Sequence, residues 1–425
     1  MKNNTFFRAL MNKRMLVVFL MGFSSGLPLL LIGGTLKAWF TESQIDLTTI
    51  GFFSLVGLPY TTKFLWAPLT DKYIPPFMGR RRGWLIVSQI FLALCIGTIG
   101  LIDPKNSISI VAIVALAVAF FSATQDIVVD AYRREVLDQD ELGLGNSYAI
   151  TGYRIAMLVA GALALALADF ISWKTVYLSM SAMMLVGIGT TIYAMEPDDV
   201  HETPKTWTEA FVGPFVDFFS RQGAIWILAF ILLYKVGDAM ASEMTMPFYI
   251  MLGFSKTEIA GVVKIAGIWA TLGGAFVGGV LMLRLGLQRS LWIFGILQAI
   301  STLGFAILAQ TGPDLKTLSL VIGFENLTAG MGTSAYAAFM ANLTNKRFTA
   351  TQYALLSSLM GVPRVIIGAP SGYLAKHLGW ESYFVFCAAI AIPGLLLLFK
   401  IGKWAHIETN ANSSATPPQA SNQIA

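Results

Sequence analysis

Apolar residues in this chain follow neither the period of a surface helix nor that of a strand. They run nearly unbroken for about twenty residues at a time, with polar and charged positions gathered between the runs. At 1.5 Å per residue such a run crosses the roughly 30 Å of bilayer hydrocarbon as one helix. Twelve are predicted, over residues 15–37, 48–70, 84–102, 108–131, 145–168, 174–195, 224–250, 257–282, 291–309, 317–341, 351–375 and 381–402. The fold class expected is an all-α membrane protein with 12 transmembrane helices. The longest connection, residues 196–223, divides them six and six, giving an N-terminal bundle over 1–195 and a C-terminal bundle over 224–403.

Composition sharpens this picture. Of 425 residues, 56% are hydrophobic and 12% charged, against about 45–50% and about 25% in soluble domains. The net charge of +5 does not imply a nucleic-acid partner, because the cations sit at the ends of apolar runs and not on one solvated face. Cations in short loops are retained on the cytoplasmic side. With the N-terminus inside, 18 of the 29 Lys and Arg fall in cytoplasmic segments, 5 outside and 6 within spans. Both termini are therefore expected in the cytoplasm.

The run after Arg8, Lys13 and Arg14 is too long for a signal-peptide core and is expected to stay as the first span. Cys95 and Cys387 lie in apolar runs far apart and read as small hydrophobes. Within 196–223, Trp207, Phe211, Phe215 and Phe218 recur at helical spacing. They predict either an interfacial helix or an ordinary amphipathic linker. Residues 404–425, rich in Asn, Ser, Pro and Ala, are expected to be disordered.

Ionised side chains in the hydrocarbon cost at least about 2.5–3.5 kcal/mol on insertion scales, so each needs a polar cavity or a partner. Lys63, Asp126 and Arg154 fall at a common depth, roughly 11–14 Å inside the cytoplasmic boundary. Asp126 and Asp130, four apart, share a helix face. Two carboxylates crowded in a low dielectric share a proton more readily than they both ionise, which suits proton coupling. The alternative is structural: Asp126 neutralises Arg154 or Lys63, and Asp130 pairs with Arg134. In the second half, Lys235 and Asp238 are candidate solute contacts or a structural bridge, beside Lys264, Glu325, Asn326 and Arg364. With Lys37 and Glu243 set aside as near helix ends, five interior cations face four carboxylates, a small excess favouring an anionic solute. Tyr60, Tyr153, Tyr234, Trp269 and Gln125 are further candidate lining residues, aromatic faces suiting sugar rings and amides suiting hydroxyls.

Enzyme readings find no support. His201, His377 and His406 all lie in loops, so no intramembrane metal site or His-based triad is expected, and no P-loop marks an ATP-driven pump. No cofactor or metal is expected, and transport would run on a gradient.

The halves resemble each other. The loop after the second span carries Asp71-Lys72 and Gly79-Arg80-Arg81-Arg82-Gly83-Trp84, and that after the eighth carries Arg284-Leu285-Gly286 and Arg289-Ser290-Leu291-Trp292. The fifth and eleventh spans each hold one arginine, Arg154 and Arg364. The Asp71 to Arg81 loop resembles the signature of the major facilitator superfamily, lengthened here by the six residues Tyr73 to Met78.

More narrowly, the chain resembles the AmpG-type muropeptide permeases. The likeness runs from Gly22-Phe23-Ser24-Ser25-Gly26-Leu27-Pro28 through Lys63-Phe64-Leu65-Trp66, Gln125-Asp126-Ile127-Val128 and Gly152-Tyr153-Arg154. It continues through Tyr234-Lys235, Gly237-Asp238-Ala239 and Phe324-Glu325-Asn326-Leu327 to Gly330-Met331-Gly332-Thr333-Ser334-Ala335. The chain stops just after the twelfth span, so nothing is carried over from longer C-terminal extensions.

The resemblance implies a major facilitator fold of two bundles rocking about one central cavity in a bacterial inner membrane. It implies import of anhydromuropeptides, anionic glycopeptides released from peptidoglycan, together with protons. The solute's carboxylates would meet Lys63, Arg154, Lys235 and Arg364, with Gln125, Asp238, Glu325, Asn326, Tyr60, Tyr153 and Trp269 around them. Asp126 and Asp130 would carry protons, and Asp71, Arg80 and Arg81 would gate the cytoplasmic side. The partners expected are solute, protons and membrane lipid, with no nucleic acid, and the protein is expected to be a monomer. A proton symporter for another large anion, such as a CoA ester or sugar phosphate, and a non-transporting receptor are the alternative readings.

Overall fold

The computed structural model describes residues 13–137, 142–197, 223–343, 359 and 361–414, all of them helix, turn or connecting chain. Helix closes every backbone hydrogen bond within one segment, which is what a chain without water requires. Among the described residues, nine helices are long and apolar enough to cross a membrane. They are α1 (Lys13–Glu42), α3 (Arg80–Leu101), α4 (Ile108–Val136), α5 (Tyr148–Ala168), α6 (Trp173–Tyr193), α7 (Ala224–Leu252), α8 (Lys256–Leu285), α9 (Leu287–Thr311) and part of α12 (Trp380–Ser414). Three more helical segments complete the order. α2 (47–72) is broken into short pieces, α10 (Leu315–Leu343) is continuous, and α11 (361–378) is described only in its second part.

The breaks have chemical causes. Pro59 and Pro68 sit at the first turns of separate pieces of α2, where the missing N–H is tolerated. α1 loosens at Ile32–Gly33, beyond Pro28, and α7 at Tyr234–Lys235. α3 and α9, the third helices of the two halves, each start after a glycine at positive φ, Gly79 at +84° and Gly286 at +75°. The duplicated loop thus carries the same turn in both copies.

Helices up to Tyr193 pack chiefly on one another, α1 on α5 and α3 on α4 and α6. Those from Ala224 do likewise, α8 on α10 and α9 on α10 and α12. Between the sets, α1 meets α7, α2 meets α11 and α5 meets α8. The α2–α11 crossing is the tightest. A Cβ on Gly372 would stand 1.8 Å from the carbonyl oxygen of Leu47, and one on Gly51 would stand 2.7 Å from the Gly372 nitrogen.

Two differences from the expected boundaries matter. α1 continues to Glu42 and not to residue 37, which places Lys37 well inside a helix. α12 runs on to Ser414 where a disordered tail was expected, with no Gly or Pro to stop it after Gly402. The amphipathic stretch Trp207 to Phe218 lies outside the described residues.

Candidate functional site

Between the two sets of helices lies a cavity of about 260 Å³. The first half lines it with α1 and α2, including Gly34, Lys37, Ser54 and Tyr60. The second half contributes Glu243 from α7, Lys264 from α8 and Arg364 from α11. Glu243 bridges the halves. Its side chain, 4% exposed, accepts from Lys37 of α1 and from Arg364 Nε at 3.2 Å. Lys37 and Glu243, set aside in the sequence as lying near helix ends, are therefore central.

The other expected residues divide into groups. Tyr60 and Arg364 line the cavity. Asp126 lies behind that wall, accepting from the Ser25 hydroxyl. Among the described residues no Lys or Arg comes within ion-pair distance of it. Lys63, Asp130, Tyr60 and Tyr153 are neighbours within reach of its charge. Buried beside it, Gln125 donates to Ser24 at 3.3 Å. The Tyr60 hydroxyl, the Ser122 hydroxyl and Gln125 Oε1 are buried with no hydrogen-bond partner among the described residues.

In the second half Lys235, at the break in α7, donates to Gln298 Oε1 at 2.9 Å and lies 3.5 Å from Asp238. This is the bridge foreseen as the structural alternative. Glu325 is buried and accepts from Ser301, which also bonds Thr328 at 2.9 Å. Asn326 bonds Thr271 at 3.0 Å and ties α10 to α8.

Three of the expected residues fall outside this cavity wall. Trp269 is 71% exposed and is not among the residues lining the cavity. Arg154 is exposed and absent from the cavity wall. Asp130, 59% exposed, pairs with Arg133 at 2.9 Å, not with Arg134, because the i,i+3 guanidinium reaches it first.

Arg80 and Arg81, expected to gate, lie at one end of the bundle. Arg81 donates to Glu135 at 2.9 and 2.5 Å, and Arg80 lies 3.5 Å from the same carboxylate, which ties α3 to α4. Glu196 accepts from the backbone N–H of Arg81 and of Arg82 at 2.6 and 2.9 Å. The side chain of Asp71 lies outside the described residues.

The opposite end is bound shut across the halves. Lys376 pairs with Asp46, and Lys256 pairs with Glu42 and lies 3.5 Å from Asp169. Thr257 donates to Asp169 through both N–H and hydroxyl at 2.7 and 2.5 Å. Trp173 donates to Glu42 and stacks on Trp39 with centroids 5.9 Å apart. The Lys376 hydrogen bond holds the Asp46 carboxyl below its ordinary range. Burial pushes the Asp169 carboxyl up, but its bonds to Thr257 and the charge of Lys256 outweigh burial and leave it lowered. Both are carboxylates at neutral pH.

Comparison with known proteins agrees with this architecture. Residues 15–368 match the model of the Major Facilitator Superfamily. The anhydromuropeptide permease of Escherichia coli K12 is 46% identical over 398 residues, covering 93% of this chain and 81% of that protein. A protein of Haemophilus influenzae described as uncharacterised is 43% identical over 424 residues, 97% of this chain and all of its own length. Among solved structures, the nucleoside transporter NupG superposes with a TM-score of 0.73 at 14% identity, over 92% of this chain and 100% of its own. That likeness shows the fold alone. The chain is a multi-pass membrane protein of the Major Facilitator Superfamily and belongs, within it, to the family of the anhydromuropeptide permeases.

Proposed function

We propose that the protein imports anhydromuropeptides with protons across a bacterial inner membrane. In this reading it works as a monomer of two six-helix bundles, 1–195 and 224–403, with both termini in the cytoplasm. The excess of Lys and Arg in the loops at the Arg80 to Arg82 end supports putting that end inside and the Asp46–Lys376 end outside. The conformation described is then closed to the periplasm.

The reading rests on the permease kinship together with one observation, the polar cavity between the halves. A fold that binds there and rocks about its middle exposes one site to each side in turn. A glycopeptide is larger than a 260 Å³ space, so the loaded state requires the halves to part on one side. Asp126 is the proton carrier in this scheme, because it has a hydroxyl partner, Ser25, and no cation bonded to it among the described residues. A carboxylate so placed can gain or lose a proton without breaking an ion pair.

The test is uptake by purified protein in liposomes. Labelled anhydromuropeptide should accumulate when an inward proton gradient is imposed and should only equilibrate without one. Accumulation of a CoA ester or sugar phosphate in its place would assign another solute. Accumulation of the glycopeptide without a gradient would remove the proton.

A further inference from the structure

Three wide helical turns, each with i→i+5 hydrogen bonding, lie at or beside the cavity: two contribute lining residues and the third packs against one of those. They are Val159–Leu163 in α5, Ile259–Ala266 in α8 and Pro363–Ile367 in α11. Such turns are rare and concentrate at functional sites, because the extra residue weakens the helix and re-aims a side chain. Here the three hold Gly161, Lys264 and Arg364 respectively.

Lys264 is the least accounted for of these. It extends from α8 in the second half toward a slot between α1 and α5 in the first. A Cβ on Gly34 would stand 3.3 Å from its Nζ, and one on Gly161 would stand 3.5 Å from its Cδ, so the two glycines make room for the side chain. Among the described residues it has no ion pair and no hydrogen bond. The charges within its reach are Arg364 and Lys37, both positive. Three cations and one carboxylate, Glu243, therefore line the cavity. Residues 344–358, which precede α11, contain no Asp or Glu that could redress the balance. Arg364 gives one nitrogen to Glu243 and keeps 58% of its side chain exposed.

Cations gathered at low dielectric without matching anions are costly unless a ligand supplies the negative charge. We propose that Lys264, with the free face of the Arg364 guanidinium, is the docking site for a carboxylate of the transported solute. This deepens the importer reading and rests on it for the identity of the solute. Lys264 sets selectivity for the carboxylate, and the Lys37–Glu243 bridge beside it links the loaded site to the contact between the halves.

The test pairs two variants with two solutes. Uptake of an anhydromuropeptide with free peptide carboxylates is compared with uptake of the same molecule amidated at those positions. For Lys264→Met, KM for the free acid should rise about 10- to 100-fold, the loss of one charge-assisted hydrogen bond, and KM for the amide should stay near wild type. Lys264→Arg should recover most of the free-acid affinity. Without solute, Lys264→Met should melt at or above the wild-type temperature, because a half-buried cation without a bonded anion among the described residues has been removed. Equal losses for acid and amide, or a lower melting temperature without solute, would make Lys264 a packing residue and overturn the proposal.

A dicarboxylate such as glutarate, read by thermal shift, separates this proposal from the importer reading. If wild type fails to take up any muropeptide yet glutarate stabilises it and not Lys264→Met, the docking site stands and the solute is another acid. If glutarate stabilises both equally, the docking site is wrong whatever the solute.

Discussion

The sealed end of the molecule and the cavity below it are both built from Lys, Arg, Asp and Glu, yet they match their charges differently. At the sealed end every cation that crosses between the halves meets a carboxylate, Lys376 with Asp46 and Lys256 with Glu42 and Asp169. In the cavity Lys37 and Arg364 share Glu243, while Lys264 pairs with no carboxylate among the described residues. Behind the wall, the bonded partner of Asp126 among the described residues is a hydroxyl, with Lys63 within reach of its charge but not bonded to it. Matched pairs at a wet surface are worth about 0–1 kcal/mol each, so they can part and re-form on every cycle. Unmatched charges in a low dielectric carry a standing cost that only a solute or a proton relieves. The same side chains thus make a clasp in one place and a binding site in the other.

The strongest way to break this contrast is at Asp126. Asp126→Asn keeps the shape and the Ser25 contact but cannot release a proton. Gradient-driven accumulation should fall to the level of protein-free liposomes, while exchange of labelled for unlabelled solute across the same membranes persists. Loss of both would mean that Asp126 supports the fold, and retention of gradient-driven accumulation would place the proton elsewhere.

Glu243 comes next. Glu243→Gln leaves the buried Lys37 without its counterion, and removing one partner of a buried pair costs about 3–5 kcal/mol. A melting temperature lowered by several degrees is expected. The double variant Lys37→Met with Glu243→Met should recover part of the loss, because the buried Lys37 and Glu243 leave together while the more exposed Arg364 loses its carboxylate. If the double variant is as unstable as the single one, the bridge contributes packing more than charge.

How far the sequence speaks follows from the solvent. Spans are legible because hydrocarbon demands long apolar runs, and Asp126 and Arg364 stand out because charge there is expensive. Which way a side chain faces is far less legible. Lipid is as apolar as the inside of a helix bundle, so no polar stripe marks the outer face. Trp269, expected among the lining residues, is instead 71% exposed and absent from the cavity wall. Lys37 and Glu243 were missed for another reason. Their depth was counted from span ends set by hydropathy, and α1 runs five residues further than that criterion allows, to Glu42. The two charges that cancel across the halves could be found only once the halves were together.

The clasp can be sharpened sterically. Gly372 has no room for a side chain, its Cβ position lying 1.8 Å from the Leu47 carbonyl oxygen. Gly372→Ala must push α2 and α11 apart, an overpacking cost of about 1–3 kcal/mol borne by the sealed conformation alone. A cysteine introduced at Ser43 should then react faster with a membrane-impermeant thiol reagent added outside. Unchanged reactivity together with unchanged uptake would show that the α2–α11 crossing is not what holds this end shut.

The smallest effect expected is the response of the clasp to acid, and its sign is fixed by the two lowered carboxyls. The hydrogen bond from Lys376 holds Asp46 below its ordinary value of 3.8, and Asp169 is lowered from the same value despite its burial. A group whose folded value is depressed contributes its full stabilisation above the ordinary carboxylate range and loses it as pH falls through the lowered value. Between about pH 5 and 8 the clasp should therefore not titrate at all. Asp46→Asn should weaken the sealed state by at most about 1 kcal/mol, as for an exposed pair. It should leave the dependence of uptake on external pH parallel to that of wild type across that range. A profile that flattens in Asp46→Asn would move the proton-sensitive step from the unmatched charges of the interior to the matched ones at the rim. The contrast between clasp and binding site would then fail at the point where it makes its most exact claim.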